Sequence, residues 1–526
     1  MCFFVFCENG GLRRFLYFRG SEWHGSFFVM KEAAGILFLE ENNMATQQTE
    51  KRVSGFDKFF KISERGSNVK TEIIAGLTTF FAMAYIVITQ PNQLIGFSFD
   101  ATDAGRVWNA VYIGAILSAV IGTLLYAVYA KLPFAQACGM GLNSFFFVSF
   151  VLPSVIKGES IVKGYQSGLV IILVSGLIFM LLSATKLRSY IAKALPDCLK
   201  KAIPAGIGLF IAMIGLKNAG IIQDNQYTFV QIVDIKGGDW KTVIAPALVA
   251  FLGFIIIASL TKLNVKGSVI IGIAASAVIY YLITWQAPEF DITQMGSQIA
   301  TAFKDFGEVG ITGVFKAESW KEAFTGEAIG GVFSAVMLII TFCLVDMFDT
   351  IGTLYGTASE ADMLDENGDP IDMEKSMLCD SVATVTGAVC GTSTVTTFVE
   401  SASGVAAGGR SGFASLITAA CFALCLFLSP IASIIPSCAT APALIFVGVL
   451  MLKSFAKVDM SDARSAAPAF MALIMMPLTY SISNGIGIGA ITYTLITLFT
   501  GKYSKKDIVV TIIALLFIAR FVFITM

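Results

Sequence analysis

The sequence holds a single histidine, His24, and only 14% of its 526 residues are charged. Proton chemistry inside the chain therefore falls to carboxylates. Lysine and arginine number 36 against 37 aspartate and glutamate, and no long basic run interleaved with aromatics occurs. Nucleic acid is excluded as a partner. The ten cysteines are scattered, several in apolar segments, with no CxxC pair and no clustered histidines; neither a disulfide framework nor a zinc site is expected. HExxH, GxSxG and GxxxxGK[ST] are absent, and the acidic stretch DMLDENGDPID lacks the twelfth-position Glu of a calcium loop. No enzyme, cofactor or metal is indicated, and the ATP of a primary pump would have to be bound by another chain.

What the sequence has in excess is apolar surface. Hydrophobic residues make up 56% of it and the mean hydropathy is +0.76, more than one soluble core can hide; the lipid bilayer must be its solvent. A crossing needs about twenty apolar residues. That template fits roughly 72–95, 107–130, 134–153, 166–185, 202–222, 243–261, 267–285, 329–356, 375–391, 392–409, 412–430, 438–455, 466–483 and 484–500, fourteen windows in all. A further run at 508–525 fits either a fifteenth span or a helix lying on the membrane. Residues 1–43 show neither periodicity nor the features of a signal peptide, and translation is expected to start at Met44. The polar lead-in that follows carries an amphipathic helix around 56–62.

Every second loop is basic: Lys51, Arg52, Lys58, Lys61, Arg65 and Lys70 precede the first window, Lys131 follows the second, and Lys186, Arg188, Lys193, Lys200 and Lys201 separate the fourth and fifth. Lys262 and Lys266, Arg410, Lys453, Lys457 and Arg464, and Lys502, Lys505 and Lys506 continue the pattern. The rule that positive charge stays inside places the N-terminus in the cytoplasm. Ile203-Pro204 and Ile435-Pro436 introduce windows five and twelve, and seven spans per half would set the halves in opposite orientations, the inverted-repeat plan of many secondary transporters.

Polar groups at membrane depth cost about 2.5–3.5 kcal/mol each on insertion scales when charged, and three segments hold nearly all of them. In LPFAQACGMGLNSFFFVSF, residues 132–150, Pro133, Gly139 and Gly141 weaken the helix while Gln136 and Asn143 offer amides. A broken helix is tolerated there only where protein or a cavity satisfies its backbone. Asn143 then serves a ligand or merely bonds a neighbouring helix. In TFCLVDMFDTIGTLYGT, residues 341–357, Asp346 and Asp349 share a helical face. Their mutual repulsion in apolar surroundings suits a group that takes up and releases a proton, and one of the two is expected to be a structural carboxylate. In GTSTVTTFVESASGVAAGGRSG, residues 391–412, a β-branched run favours extended backbone and leads into a small-residue helix near Glu400. Free N–H groups at that helix start give a binding-site geometry.

These segments, with GFDKFFKISERGSNVKTEIIAGLTTFFAMAYIVITQP before them, resemble in order the nucleobase–cation symporter family 2, in its adenine/guanine/hypoxanthine permease branch, from about Gly55 to window fourteen. The resemblance implies an all-α polytopic fold of about fourteen spans as two inverted sevens, with short strands in broken spans 3 and 10. It also implies a core domain (72–185 and 329–430), a gate domain (202–285 and 438–500) and a C-terminal apolar segment, 501–526. Substrate would sit between core and gate, on Asp349, Glu400 and Asn143, with Asp346 nearby and Phe81 and Phe398 stacking on or lining the base. Asp346, Asp349 and Glu400 become the candidates for proton coupling. Implied with them are import of adenine, guanine or hypoxanthine by proton symport, a bacterial inner-membrane location and a homodimer through the gate domains. The same scaffold carrying xanthine or uracil is the nearest alternative; a membrane receptor without transport is another. An anion carrier is disfavoured because three acids would repel its cargo.

Overall fold

The computed structural model describes residues 55–96, 103–185, 196–286, 292–326, 329–360, 363–366 and 370–523. The expectations on residues 1–43 and Met44 lie outside the described residues, as do Lys51, Arg52, Lys186, Arg188 and Lys193. A short helix at Gly55–Phe60 is followed by α1 (Val69–Met83), α2 (Ile86–Ile95), α3 (Ala104–Leu125), β1 (Gln136–Cys138), α4 (Met140–Phe146), α5 (Ile161–Ala184) and α6 (Asp197–Asn218). A hairpin of β2 (Ile222–Asn225) and β3 (Phe229–Ile232) leads to α7 (Ala245–Lys262), α8 (Ser268–Thr284), α9 (Met295–Asp305), α10 (Ala317–Thr325) and α11 (Gly331–Glu360). Then come α12 (Met373–Val389), β4 (Val395–Thr397), α13 (Ser401–Ala406), α14 (Gly412–Leu424), α15 (Ser429–Ser433), α16 (Ser437–Leu452), α17 (Ala463–Leu478), α18 (Ile482–Phe499) and α19 (Ile508–Phe523).

Among the described residues nine helical stretches are long and apolar enough to cross a membrane, and they fall on nine of the fourteen expected windows. The chain is a multi-pass membrane protein. Windows 267–285 and 466–483 are shorter apolar helices, and 134–153 and 392–409 are not continuous helices at all: each contains a three-residue strand followed by a short helix. Window 375–391 is the polar-studded helix α12. The C-terminal run is helical and packs along α18.

Helix packing sorts into two groups. One contains α1, α2, α3, α5, α11, α12, α13 and α14; the other contains α6, α7, α8, α16, α17 and α18. Small residues set the closest approaches: a Cβ on Gly141 of α4 would lie 2.2 Å from Ile207 Cγ2 of α6, and one on Gly404 of α13 would lie 2.0 Å from Thr79 Oγ1 of α1. Only glycine lets these backbones meet without displacement. Two helix starts are closed by side chains. Asn68 caps α1 by accepting from Thr71 N at 3.0 Å, and the buried Glu72 carboxylate accepts from Arg410 N, Ser411 N and Ala414 N, so that an acid on α1 closes the start of α14.

The two strands cross at the centre of the first group. They pair antiparallel, Gln136 opposite Thr397, Ala137 opposite Thr396 and Cys138 opposite Val395, and all six residues are buried. A two-stranded ribbon leaves its outer edges unpaired, which a membrane interior does not forgive. Side chains of neighbouring helices close both edges. Thr123 Oγ1 of α3 accepts from Gln136 N at 3.0 Å and donates to Gln136 O at 3.2 Å. Thr384 Oγ1 of α12 accepts from Val395 N at 3.2 Å and lies 3.0 Å from Val395 O. Ser401 Oγ takes Ala135 N and Asp380 takes Thr397 N. One threonine on the preceding helix thus serves each strand in the same way. Replacing either by valine keeps the shape and removes the hydroxyl; Thr123→Val and Thr384→Val are each expected to cost about 1–3 kcal/mol for the orphaned strand groups, while Thr→Ser at either position restores most of it. Thermal melting of the detergent-solubilised chain checks this, and an unchanged midpoint in the valine variants would contradict it.

Candidate functional site

The extended segments are short because the sequence changes character within a few residues. The β-branched Val395, Thr396 and Thr397 hold β4 extended until Phe398, whose N–H donates to Ala135 O at 3.1 Å, and the chain turns into α13 at Glu400. Glu400 is therefore presented where the strand ends. Its Oε1 accepts from Tyr85 OH at 2.7 Å; Tyr85 is fully buried and sits at the break between α1 and α2.

Asp346 and Asp349 project from the same side of α11 but meet different surroundings. Asp346 is enclosed, with Thr384 Oγ1 2.7 Å from its Oδ2 and no hydrogen-bond partner for Oδ1 among the described residues. Asp349 is half-buried and has neither a hydrogen bond nor an ion pair with the described residues. It lies within electrostatic range of both Glu400 and Asp380. One turn further along α11, Gly352 is exposed, and a Cβ there would have Pro204 Cγ of α6 as its nearest neighbour, at 3.9 Å. Asp349 thus lies one helical turn from the point where α11 approaches α6 of the second helix group.

The remaining expected residues are less accessible. Asn143 is fully buried and its amide is saturated: Nδ2 donates to Gln90 Oε1 and to Gln93 Oε1, the latter at 3.2 Å, while Oδ1 accepts from Gln90 Nε2 at 3.1 Å and from Ser393 Oγ. In this conformation Asn143 locks α2 and α4 to the start of β4 rather than offering an edge to a ligand. Phe398 is 8% exposed at the end of β4, in the same strand-to-helix turn as Glu400. Phe81 is 48% exposed, its ring against Phe80 and its Cβ near Gly267 of the other helix group. The structure thus sets Asp349 within electrostatic range of Glu400, keeps Phe398 in the turn that carries Glu400, encloses Asp346 and Asn143, and leaves Phe81 half-exposed on α1.

Two residues escaped the sequence reading. Asp380 of α12 is a fully buried carboxylate that accepts from Gln136 Nε2, Thr350 Oγ1, Thr397 N, Thr397 Oγ1 and Tyr126 OH, and so gathers β1, β4, α3 and α11 onto one group. The signal was there, an acid inside the apolar stretch 377–390. Tyr85 is the other, a hydroxyl in MAYIVITQ that only the folded chain brings to Glu400. Among the described residues no cluster of His, Cys, Asp and Glu could hold a metal ion.

Comparison with known proteins identifies the scaffold. The pattern of the Permease family (Xan_ur_permease) matches residues 70–488. The guanine/hypoxanthine permease PbuG of Bacillus subtilis is 39% identical over 469 residues, 88% of this chain and 99% of that one. The adenine permease AdeP of Escherichia coli is 36% identical over 468 residues, 89% of this chain and 96% of that one. In fold, the chain is similar to the transmembrane domain of a cyanobacterial bicarbonate transporter, BicA, at a TM-score of 0.53 and 12% identity, covering 79% of this chain and 97% of that one. It is also similar to the murine anion transporter Slc26a9 at 0.51 and 14%, covering 91% and 77%. At these identities the likeness shows the fold alone. The chain belongs to the Permease family, is a transporter and not an enzyme, and stands among relatives named adenine and guanine/hypoxanthine permeases.

Proposed function

We propose that this protein imports purine nucleobases, adenine, guanine or hypoxanthine, by proton symport across a bacterial inner membrane. Base is held at the seam between the two helix groups by Asp349 and Glu400. The observation that carries the reading is the Asp349 carboxylate: at membrane depth it is half-buried, lies one turn from the approach of Gly352 to α6, and has no hydrogen bond or ion pair among the described residues. A charge so costly to place and left unpaired is a ligand's partner. A neutral purine presents ring N–H donors and N acceptors in one plane: the ionised carboxylate on α11 accepts from a ring N–H, and the carboxyl at the start of α13, when protonated, donates to a ring N. Phe398 closes one side. Asn143 ties α2 and α4 to Ser393 ahead of β4, and Asp346 joins Asp349 and Glu400 as a proton-coupling candidate.

In this reading the first helix group is the moving core and the second the gate. The parallel service of β1 by Thr123 and of β4 by Thr384, each from the preceding helix, supports an inverted repeat of seven spans per half, fourteen in all. The N-terminus is cytoplasmic, and exposed apolar residues on α7 and α8, among them Phe251, Ile255 and Val278, offer a gate surface to lipid or to a second copy. Uptake of radiolabelled adenine, guanine, hypoxanthine, xanthine and uracil into cells lacking their own base permeases tests the substrate. Saturable uptake of one or more purines is expected; uptake of uracil alone, or of no base by folded membrane-inserted protein, would refute it.

A further inference from the structure

A second polar cleft lies away from Asp349 and Glu400, at the C-terminal end of α2, the starts of α3 and α16, and α15. It comprises two adjoining cavities of ≈ 390 and ≈ 290 Å³ that share Asn109 and Ser433. The larger is lined by Asn92, Trp108 and the first residues of α3 and α16; the smaller by hydroxyl and amide groups of α9 and α15. Among the described residues no charged side chain lines either. Such a lining suits a neutral, hydrogen-bonding ligand and repels none on grounds of charge.

Four features make this a built site rather than a surface dip. Trp108 is 8% exposed, with one face stacked on Tyr112 at 5.3 Å and its Nε1 donating to Asn92 Oδ1 at 2.7 Å, so the indole is held in a fixed position at the cavity wall. The N-termini of α3 and α16 both open onto the cavity, and neither Asp103 nor Pro436 provides a side-chain cap; their first N–H groups are donors for an acceptor-rich ligand. Ser429, 4% exposed on the wall of the smaller cavity, has a buried Oγ without a hydrogen-bond partner among the described residues. Finally, Asn92 belongs to α2, whose Gln90 and Gln93 bond Asn143, so the cleft adjoins the crossing-strand network by a single helix.

We infer that this cleft is a second binding site for a neutral, planar, acceptor-rich heterocycle of the nucleobase class, occupied before the base reaches Asp349; it rests on the purine reading above. The cleft lies between α2 and α3 of the first helix group and α16 of the second, at the end of the seam opposite the basic loops. A base there is flanked by Trp108 and hydrogen-bonded by backbone N–H groups, Asn92 and Ser429.

The test uses the purified full chain in detergent carrying Ser433→Cys, at an exposed position in the wall shared by both cavities. The rate of maleimide labelling is measured with and without adenine, guanine and hypoxanthine, with the parent chain as the blank. Labelling is expected to slow about tenfold at a base concentration about ten times its dissociation constant, the factor being 1 + [L]/Kd. The same protection is expected when Asp349→Asn is added. It is expected to vanish with Gly105→Leu, whose side chain grows into the larger cavity where a Cβ meets nothing within 4 Å. Protection lost with Asp349→Asn would overturn the inference, since closure around the inner site would then explain it. So would unchanged labelling alongside purine uptake by the parent chain in cells. Absence of purine uptake itself overturns the reading beneath it, which keeps the two failures apart.

Discussion

Asp349→Asn is expected to reduce purine uptake by about 10- to 150-fold at limiting base, while the protein remains folded and at parental level in the membrane. The magnitude follows from the bond that is lost. A hydrogen bond to a charged group contributes about 1.5–3 kcal/mol, and each 1.4 kcal/mol is about tenfold in affinity. Stability is expected to hold because Asp349 makes no hydrogen bond or ion pair with the described residues, so the amide orphans no neighbour; removing an unpaired acid that stands near Glu400 and Asp380 relieves repulsion instead. Asp380→Asn presents the opposite case, because its carboxylate is the common acceptor of β1, β4 and α3 and its loss acts through folding. Uptake kinetics together with membrane abundance separate the two. An Asp349→Asn chain with a parental KM would show that the free carboxylate is not where base binds.

How much of this was legible in the sequence can be judged residue by residue. The rule that an acid at membrane depth demands a reason led directly to Asp346, Asp349 and Glu400, and the run Val395–Thr397 announced a strand because β-branched side chains favour extended backbone. Hydropathy windows, in contrast, counted 134–153 and 392–409 as ordinary spans, since composition does not register that a strand and a short helix can share one crossing. Partners were the other blind spot. Tyr85 meets Glu400 across 315 positions and Gln136 meets Asp380 across 244, distances over which no local pattern operates. Asn143 illustrates a subtler limit: the sequence shows a buried amide, but whether that amide is open to a ligand or saturated by Gln90, Gln93 and Ser393 depends on the helix packed against it. Likewise the spacing put both aspartates of α11 on one face, and only tertiary packing distinguishes the enclosed Asp346 from the open Asp349.

That distinction bears on the second large effect. If one proton accompanies each neutral base, a membrane potential of 100 mV supplies about 2.3 kcal/mol, enough to hold base at about 40- to 50-fold its outside concentration. A protonophore is expected to bring the ratio back to about one. Asp346 is the residue whose surroundings suit the proton: its Oδ1 is enclosed without a partner among the described residues, and its Oδ2 lies on Thr384, the same hydroxyl that closes the edge of β4 at Val395. A proton gained or lost at Asp346 is therefore felt at the strand that ends in Glu400 and, one helical turn away, at Asp349. Asp346→Asn keeps the shape but cannot take up or release a proton in the physiological range. Its expected phenotype is a chain that still exchanges external labelled base for internal unlabelled base yet no longer accumulates it, with the protonophore without further effect. Asp349→Asn, by comparison, loses exchange and accumulation together, because both require bound base. Measuring exchange and accumulation side by side in both variants decides the matter: if Asp346→Asn concentrates base as the parent does, the proton travels elsewhere, and Asp349 and Glu400 are the candidates left to carry it.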